Sequence, residues 1–320
     1  MQPPFEITPL AASLLAAIER ALGGYEGAMV AEPGPQLRRS LKVRTIHASV
    51  AIEGNTLTED QVTAVLEGKR VIAPQRDLLE VQNALACYSK LSTWNPASSK
   101  HFLTAHRLMM SGLVERPGAW RTRGVGIAKG NVIAHIAPPP AGVPGLVKSL
   151  LEWAGKDRSV PAPIRAAVCH YELEFIHPFQ DGNGRMGRLW HSLILLRHHP
   201  VFAHVPVESS VKLRQAEYYA VLGRCDKAGK STEFIEFSLQ ATLDALEVFL
   251  SSSKGKLGSS GRMEAARMRL GSKWFTRKDY LAVFPSLSSA SASRDLAAAT
   301  ATGLVKKEGD KSLTRYRFKS

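Results

Sequence analysis

Cysteine is scarce in this sequence: Cys87, Cys169 and Cys225 are the only three in 320 residues. Their odd number and wide spacing exclude a disulfide framework and match no metal-ligand pattern, which points to reduced thiols in a cytoplasmic protein. Long apolar runs are missing as well. Each is broken by charge before the roughly 18–20 residues that a membrane-spanning helix needs. The opening residues, MQPPFEITPL, have neither the basic start nor the apolar stretch of a secretory signal. No internal repeat is present. Acidic residues run short toward the C-terminus, where 15 Lys/Arg from Lys254 onward face 5 Asp/Glu. That segment holds ten of the formal net +14 charges, so the first 253 residues are nearly balanced. A surplus of this kind suits either a phosphate-binding surface or a solubilising face.

What is present reads as a soluble globular chain, with 44% hydrophobic and 22% charged residues. Its length allows two domains, and the absence of spanning segments predicts no membrane association. Apolar residues at three- and four-residue spacing predict helices over Leu10–Leu22, Gln61–Leu66, Leu78–Leu91 and Leu146–Trp153. Residues Gly118–His135 instead place short β-branched runs around Lys-Gly-Asn, which predicts a β-hairpin turning near Gly130–Asn131. A lone hairpin leaves an edge open to pairing with another chain. The Ser/Gly/Lys-rich stretch 251–261 reads as a linker. Beyond it the order is helix, helix, helix, hairpin, with helices at Phe275–Phe284 and Ser288–Thr302 and strands at Leu304–Lys306 and Arg315–Phe318. That order, with basic residues on the hairpin, predicts a winged helix. Trp94, Trp120, Trp153 and Trp190 read as core anchors and His106 as a buried, satisfied histidine. His191, His198 and His199 lack partners at ligand spacing, so they read as packing or surface residues.

Chemistry is concentrated in residues 176–188, Ile-His-Pro-Phe-Gln-Asp-Gly-Asn-Gly-Arg-Met-Gly-Arg. Gly182 and Gly184 allow backbone conformations that turn successive N–H groups toward one point. The apolar run from Met186 starts a helix, so that nest lies at a helix N-terminus, where anions are favoured. Arg185 and Arg188 share a face of the first turn and can each fork onto phosphate oxygens. Asp181 is a hard oxygen ligand suited to Mg²⁺ that also holds phosphates. His177, followed by proline, can accept a proton near neutral pH.

The segment resembles the signature of the Fic family, HPFx(D/E)GNGRxxR, at every fixed position. The resemblance extends over roughly residues 40–250. It implies a mainly α fold: a Fic-type helical core with a β-hairpin flap, here joined to a C-terminal winged helix-turn-helix domain. The expected divisions are an N-terminal helical region at 1–95, the core at 96–250, a linker at 251–261 and the winged helix at 262–320. The implied activity is transfer of AMP from ATP, with Mg²⁺, to a Ser, Thr or Tyr hydroxyl of a target protein or of the chain itself. His177 would be the base and Asp181 the metal ligand. Gly182, Asn183, Gly184, Arg185 and Arg188 would hold the phosphates, and Tyr219 would lie beside adenine. Val125, Gly126 and Ile127 on the flap would clamp the target by strand addition. Some relatives carry asparagine at the position of Asp226, a departure that bears on the nucleoside contacts.

Upstream, Ser49-Val50-Ala51-Ile52-Glu53-Gly54-Asn55 resembles the inhibitory motif (S/T)xxxE(G/N) of many Fic proteins. The resemblance implies that Ser49 and Glu53 belong to an autoinhibitory helix, with Glu53 paired to Arg188 where the γ-phosphate would go. The same glutamate could orient water and strip AMP from a modified protein. A third reading is a nucleotide-responsive DNA-binding regulator, in which the basic winged helix binds DNA or another protein. The residues leave the oligomeric state open, a homodimer included.

Overall fold

Two helices that are buried on every side set the architecture. In α7 (Ala162–Ile176) every residue from Pro163 to Tyr171 is buried, and α8 (Asn183–His198) is buried from Arg185 to Leu195. A helix buried all round is enclosed by others, and its polar side chains, Arg165, His170, Arg185, Arg188, His191 and Ser192, are buried with it. These two pack side by side, and the motif loop His177–Gly182 joins them. Trp190 on α8 is fully buried, donates to the Pro96 carbonyl at 3.0 Å and meets the Phe102 ring edge-on at 4.8 Å.

The computed structural model describes residues 2–27, 33–129, 132–253, 259–285, 287–310 and 313–319, with backbone alone at 126–129, 132–136 and 253. The chain divides into two compact units, Met1–Leu22 with Pro33–Phe249, and Gly23–Glu32 with Leu250–Ser320. In the first, α1 (Pro9–Gly27, through Leu22), α2 (Pro35–Ile52), α3 (Glu59–Leu66), α4 (Gln75–Ser89), α5 (Ser99–Met109) and α6 (Val143–Lys156) precede the central pair. Then follow α9 (Val207–Leu213), α10 (Gln215–Ala228) and α11 (Thr232–Ser253). The fold is therefore mainly helical, as the periodicity predicts. No described helix is long and apolar enough to cross a membrane.

The predicted hairpin forms over a shorter span. β1 (Gly126–Lys129) and β2 (Val132–Ile136) pair antiparallel, with an irregularity between Ile127 and Ala128. The turn at Gly130–Asn131 lies outside the described residues. Residues 118–125 are irregular, and the Arg121 guanidinium takes the Arg123 carbonyl there along with three carbonyls outside the segment, as set out below.

In the second unit, α12 (Ser259–Leu270), α13 (Arg277–Val283) and α14 (Ser289–Ala301) precede β3 (Val305–Glu308) and β4 (Arg315–Phe318). The strands pair from Val305–Phe318 to Glu308–Arg315, and Phe275 adds a bridge to Tyr316. Met263, Phe275, Tyr280, Leu296 and Phe318 form its core. Thr276 and Ser288 cap α13 and α14. The linker expected at 251–261 is shorter than read: Ser251–Ser253 continue α11, and α12 begins at Ser259. Serine is tolerated at helix ends, so Ser-rich composition overstates the break.

Candidate active site

The motif loop is built on a strained residue. His177 follows the last residue of α7 with φ 49° and ψ 61°, the only described residue other than glycine at positive φ. Such a conformation costs energy unless its surroundings impose it, and Arg121 helps impose it. That guanidinium is buried and donates to the carbonyls of His177 (2.7 Å), Ile176 (3.3 Å), Arg123 (2.9 Å) and Pro138. The Arg121 backbone N–H adds a bond to the Pro178 carbonyl at 3.0 Å. Its partners tie the loop to both chain segments flanking the hairpin.

His177 Nδ1 lies 3.4 Å from the Glu174 carbonyl. A carbonyl only accepts, so in the neutral ring Nδ1 carries the proton and Nε2 the lone pair. Phe179 anchors the loop between rings: His106 stacks on it at 3.5 Å and 6°, with Trp120 at 5.4 Å. His106 is satisfied, accepting the Gly118 N–H at Nδ1 (2.8 Å) and donating from Nε2 to the Asp181 carbonyl (3.0 Å). Burial pushes it down to about 4, with the nearby Arg185 charge acting in the same direction. Trp94, Trp153 and Trp190 are buried and Trp120 is partly so. His191 is buried against Ser238, and His198 pairs with Glu19.

At the start of α8 the first intrahelical bond is Met186 N–H to the Gly182 carbonyl, so the amides of Asn183, Gly184 and Arg185 have no intrahelical acceptor. They form the anion-favouring end. Two expectations need correction here. The Gly182 N–H, with its residue at φ 85°, donates to its neighbour Asp181 Oδ1 at 2.6 Å and is not part of the nest. The Asn183 side chain is committed to the Phe179 main chain, accepting at 2.9 Å and donating at 3.0 Å. It closes the loop, and only its backbone amide faces the nest side. Gly184 leaves room for the Glu53 carboxylate: a Cβ there would lie 2.6 Å from Glu53 Oε1 and 3.2 Å from Glu174 Oε1, so those side chains would have to shift.

Both motif arginines are buried. Arg188 Nη2 donates to Glu53 Oε1 at 2.7 Å and to the Ser49 carbonyl at 3.0 Å. Arg185 Nη2 meets Asp181 Oδ1 at 3.3 Å, and its Nη1 faces Glu80 Oε1 at 3.4 Å. Among the described residues, Nε and Nη1 of both arginines make no hydrogen bond. Orphaned buried donors are uncommon and call for an explanation. An oxyanion with several acceptor oxygens is the ligand that fits them. For Arg188, burial opposes the charged form, but Glu53 outweighs it and the guanidinium is held above its ordinary range. Glu174 is pushed up to about 7 by burial first and by the Glu53 charge second. It accepts from the Tyr218 hydroxyl at 3.1 Å.

The Ser49 hydroxyl points elsewhere, toward Tyr88 at 3.4 Å, so the link from Ser49 to Arg188 is its carbonyl. The Tyr219 hydroxyl donates to the Ile52 carbonyl at 3.1 Å, and the Tyr171 hydroxyl donates to Asp226 at 3.0 Å. Val125, Gln180 and Asp181 line one cavity of about 460 Å³ with Arg116, Arg121 and Arg123. The side chains at Gly126 and Ile127 lie outside the described residues. Sequence reasoning missed Arg76, Glu80, Arg121, Glu174 and Tyr218. Arg76 approaches Asp181 Oδ2 at 3.4 Å and Glu80 at 3.5 Å, while Asn55 donates to Glu80 at 2.9 Å. Asn55 directly follows the upstream motif, which ends at Gly54, and nothing in the sequence signalled this contact.

Asp181 is half exposed and adjoins this anion end, a placement suited to Mg²⁺. No group of three or more His, Cys, Asp or Glu poised for a metal is found among the described residues. A cation held by Asp181 would therefore complete its shell with phosphate oxygens and water.

Against known proteins, the Fic/DOC family profile matches residues 96–195. Protein adenylyltransferase fic-1 of Caenorhabditis elegans is 33% identical over 190 residues, 55% of this chain and 35% of its own length. Its Caenorhabditis briggsae counterpart is 30% identical over 227 residues, 67% of this chain and 42% of that one. The chain thus spans about half or less of the curated relatives it matches. The crystal structure of a Fic family protein from Desulfovibrio desulfuricans G20 covers 100% of this chain and 99% of its own, with 37% identity and a TM-score of 0.76. Fic-1 residues 134–508 from C. elegans match 76% of this chain at a TM-score of 0.60 and 26% identity. Agreement over the full length of a solved relative, with the intact loop motif, places this chain in the Fic/DOC family.

Proposed function

We propose that this chain is an autoinhibited protein adenylyltransferase. The supporting observation is the pair of buried guanidiniums with unspent donors beside an unbonded helix N-terminus, one of them stoppered by Glu53. On this reading ATP places its α-phosphate against the amides of Asn183, Gly184 and Arg185. Its outer phosphates go to Arg185 and Arg188. Asp181 holds Mg²⁺, which neutralises phosphate charge when bound. His177 Nε2 takes the proton from a Ser, Thr or Tyr hydroxyl whose oxygen attacks the α-phosphorus. The bond to the bridging oxygen breaks, pyrophosphate leaves, and the target carries AMP. Nest amides and guanidiniums in a buried setting stabilise the developing charge. The flap from Val125 presents the target segment above the cavity it shares with Asp181.

Glu53 competes for Arg188 with the terminal phosphate. A triphosphate could still enter but would be misaligned, and a misplacement of this kind costs roughly 100-fold in rate. Intact-mass analysis of the full chain after incubation with Mg²⁺–ATP tests the reading. Glu53→Gly should gain AMP roughly 100-fold faster than the parent, and Glu53→Gly with His177→Ala should gain none. Equal labelling of parent and Glu53→Gly removes the brake. No added mass in Glu53→Gly on itself or on offered proteins removes the transferase. Loss of AMP from a pre-modified chain would assign the reverse reaction.

A further inference from the structure

A second cavity, of about 730 Å³, opens where the end of α6, the start of α7 and the end of α8 meet. It is lined by Arg158, Arg165 and Arg197, with apolar walls from Pro96, Val160 and Ile194. None of the motif-loop residues line it. Arg165 is only 4% exposed. Its Nε donates to the Val160 carbonyl at 2.9 Å and its Nη1 to the Ala154 carbonyl. No described carboxylate comes within 4 Å of Arg158, Arg165 or Arg197. A buried charge with only neutral partners is unusual, because its desolvation goes uncompensated.

Asp157, the acid whose field reaches Arg165, has its Oδ1 committed to the N–H and hydroxyl of Ser159 and the N–H of Val160. Burial and the neighbouring Arg158 charge lower the Arg165 pKa. The Arg197 Nη2 spans the Ser92 and Trp94 carbonyls, leaving its other N–H groups unbonded. Arg158 is exposed and makes no hydrogen bond or ion pair among the described residues. The first turn of α7 has no side-chain cap, so its positive end adds to the same field.

We propose that this cavity is a second anion site, taking a phosphate-bearing small molecule between the three guanidiniums. The volume lies within the range of small-molecule sites, and the apolar walls leave room for a base or sugar beside the phosphate. The proposal does not depend on the transferase reading.

The test is calorimetric titration of the full chain with pyrophosphate and, in parallel, with AMP. Arg158→Glu and Arg197→Gln are compared with the parent, and melting is followed in NaCl of matched ionic strength. Since charge-assisted bonds to phosphate are the strong ones, either variant should lose a binding event or weaken it at least about tenfold. Binding at the motif loop, which neither residue touches, should persist. Arg158 makes no hydrogen bond or ion pair among the described residues, so its variant is informative even if Arg197→Gln is destabilised by freeing two carbonyls. Tighter binding of AMP assigns the site to nucleotides, and tighter binding of pyrophosphate to inorganic oligophosphates. Isotherms unchanged in both variants, or equal stabilisation by NaCl, overturn the proposal.

Discussion

Arg121 spends its fork on four carbonyls from three chain segments, one of them belonging to the only positive-φ residue other than glycine described. Arg121→Ala should therefore cost about 3 kcal/mol, since truncation strands several buried acceptors. In a Glu53→Gly background it should also slow self-labelling more than tenfold. Arg121→Lys should recover part of the melting temperature but little of the rate, because one ammonium cannot reproduce the fork. Full labelling by Arg121→Ala would disconnect this residue from His177. Glu174 makes a separate demand on pH. Its raised value, about 7, means the folded chain binds that proton more tightly than the unfolded chain, where 4.5 applies. Its contribution to stability is then full below pH 4.5, falls as pH rises, and is lost above about 7. Glu174→Gln removes this dependence. The melting difference, variant minus parent, should grow in the variant's favour between pH 4.5 and 7 by several degrees, at ~2–4 °C per kcal/mol. A difference that does not change with pH would show Glu174 ionised throughout. Glu172, pushed up to about 7 by burial, is common to both proteins and cancels.

The element that the proposed function makes inhibitory owes its position to the end of α2 rather than to Glu53 alone. The last carbonyls of a helix lack intrahelical donors, and here other elements supply them. Lys212 donates to Ala51 at 2.8 Å, Gln215 to Ile52 at 2.9 Å and Tyr219 to Ile52 at 3.1 Å. On the proposed function, Lys212→Met with Gln215→Leu should loosen this end and raise self-labelling severalfold, short of the Glu53→Gly rate and still abolished by His177→Ala. An unchanged rate would place the whole brake in the Glu53–Arg188 pair. None of these donors was legible in the sequence, because pairing across 160 residues depends on packing that periodicity does not report. The helices were legible, since α1, α3, α4 and α6 form where the apolar spacing predicts them. The motif loop was legible in its residue types and less so in its bonds. Gly182 and Asn183 have the right chemistry for a nest, yet Asp181 and Phe179 claim them first. Arg121 looked like an ordinary hairpin residue, because nothing local distinguishes an arginine that serves carbonyls from one that faces water.

For the whole molecule, the charge asymmetry acquires a physical meaning from how the second unit uses its acids. Asp295 is buried against Arg262 at 2.6 Å and Tyr280 at 3.0 Å, Asp279 completes a capping box, and Glu308 lies between Lys306 and Arg315. Little acidic charge is left to offset Arg277, Lys278, Lys307 and Arg317. Arg315 and Arg317 both lie over the Trp274 ring, at 4.8 and 5.1 Å, which orders two cations on one strand. We read this unit as a winged helix, with α14 as the element that would enter a groove. Its outer face carries Arg294 among Ala290, Ala297, Ala298 and Ala301, while Ser288 and Ser291 are occupied in capping. Small side chains offer few groups for reading base edges. Duplex DNA should therefore bind the full chain with little sequence preference and a log K against log salt slope of about −3, as for three or four phosphate contacts. Lys307→Glu with Arg317→Glu should flatten that slope by about two units and leave self-labelling of the Glu53→Gly chain unchanged. No binding at low salt would instead turn the basic face toward a protein partner, and a strong preference for one duplex would mean that α14 reads more than its exposed residues supply.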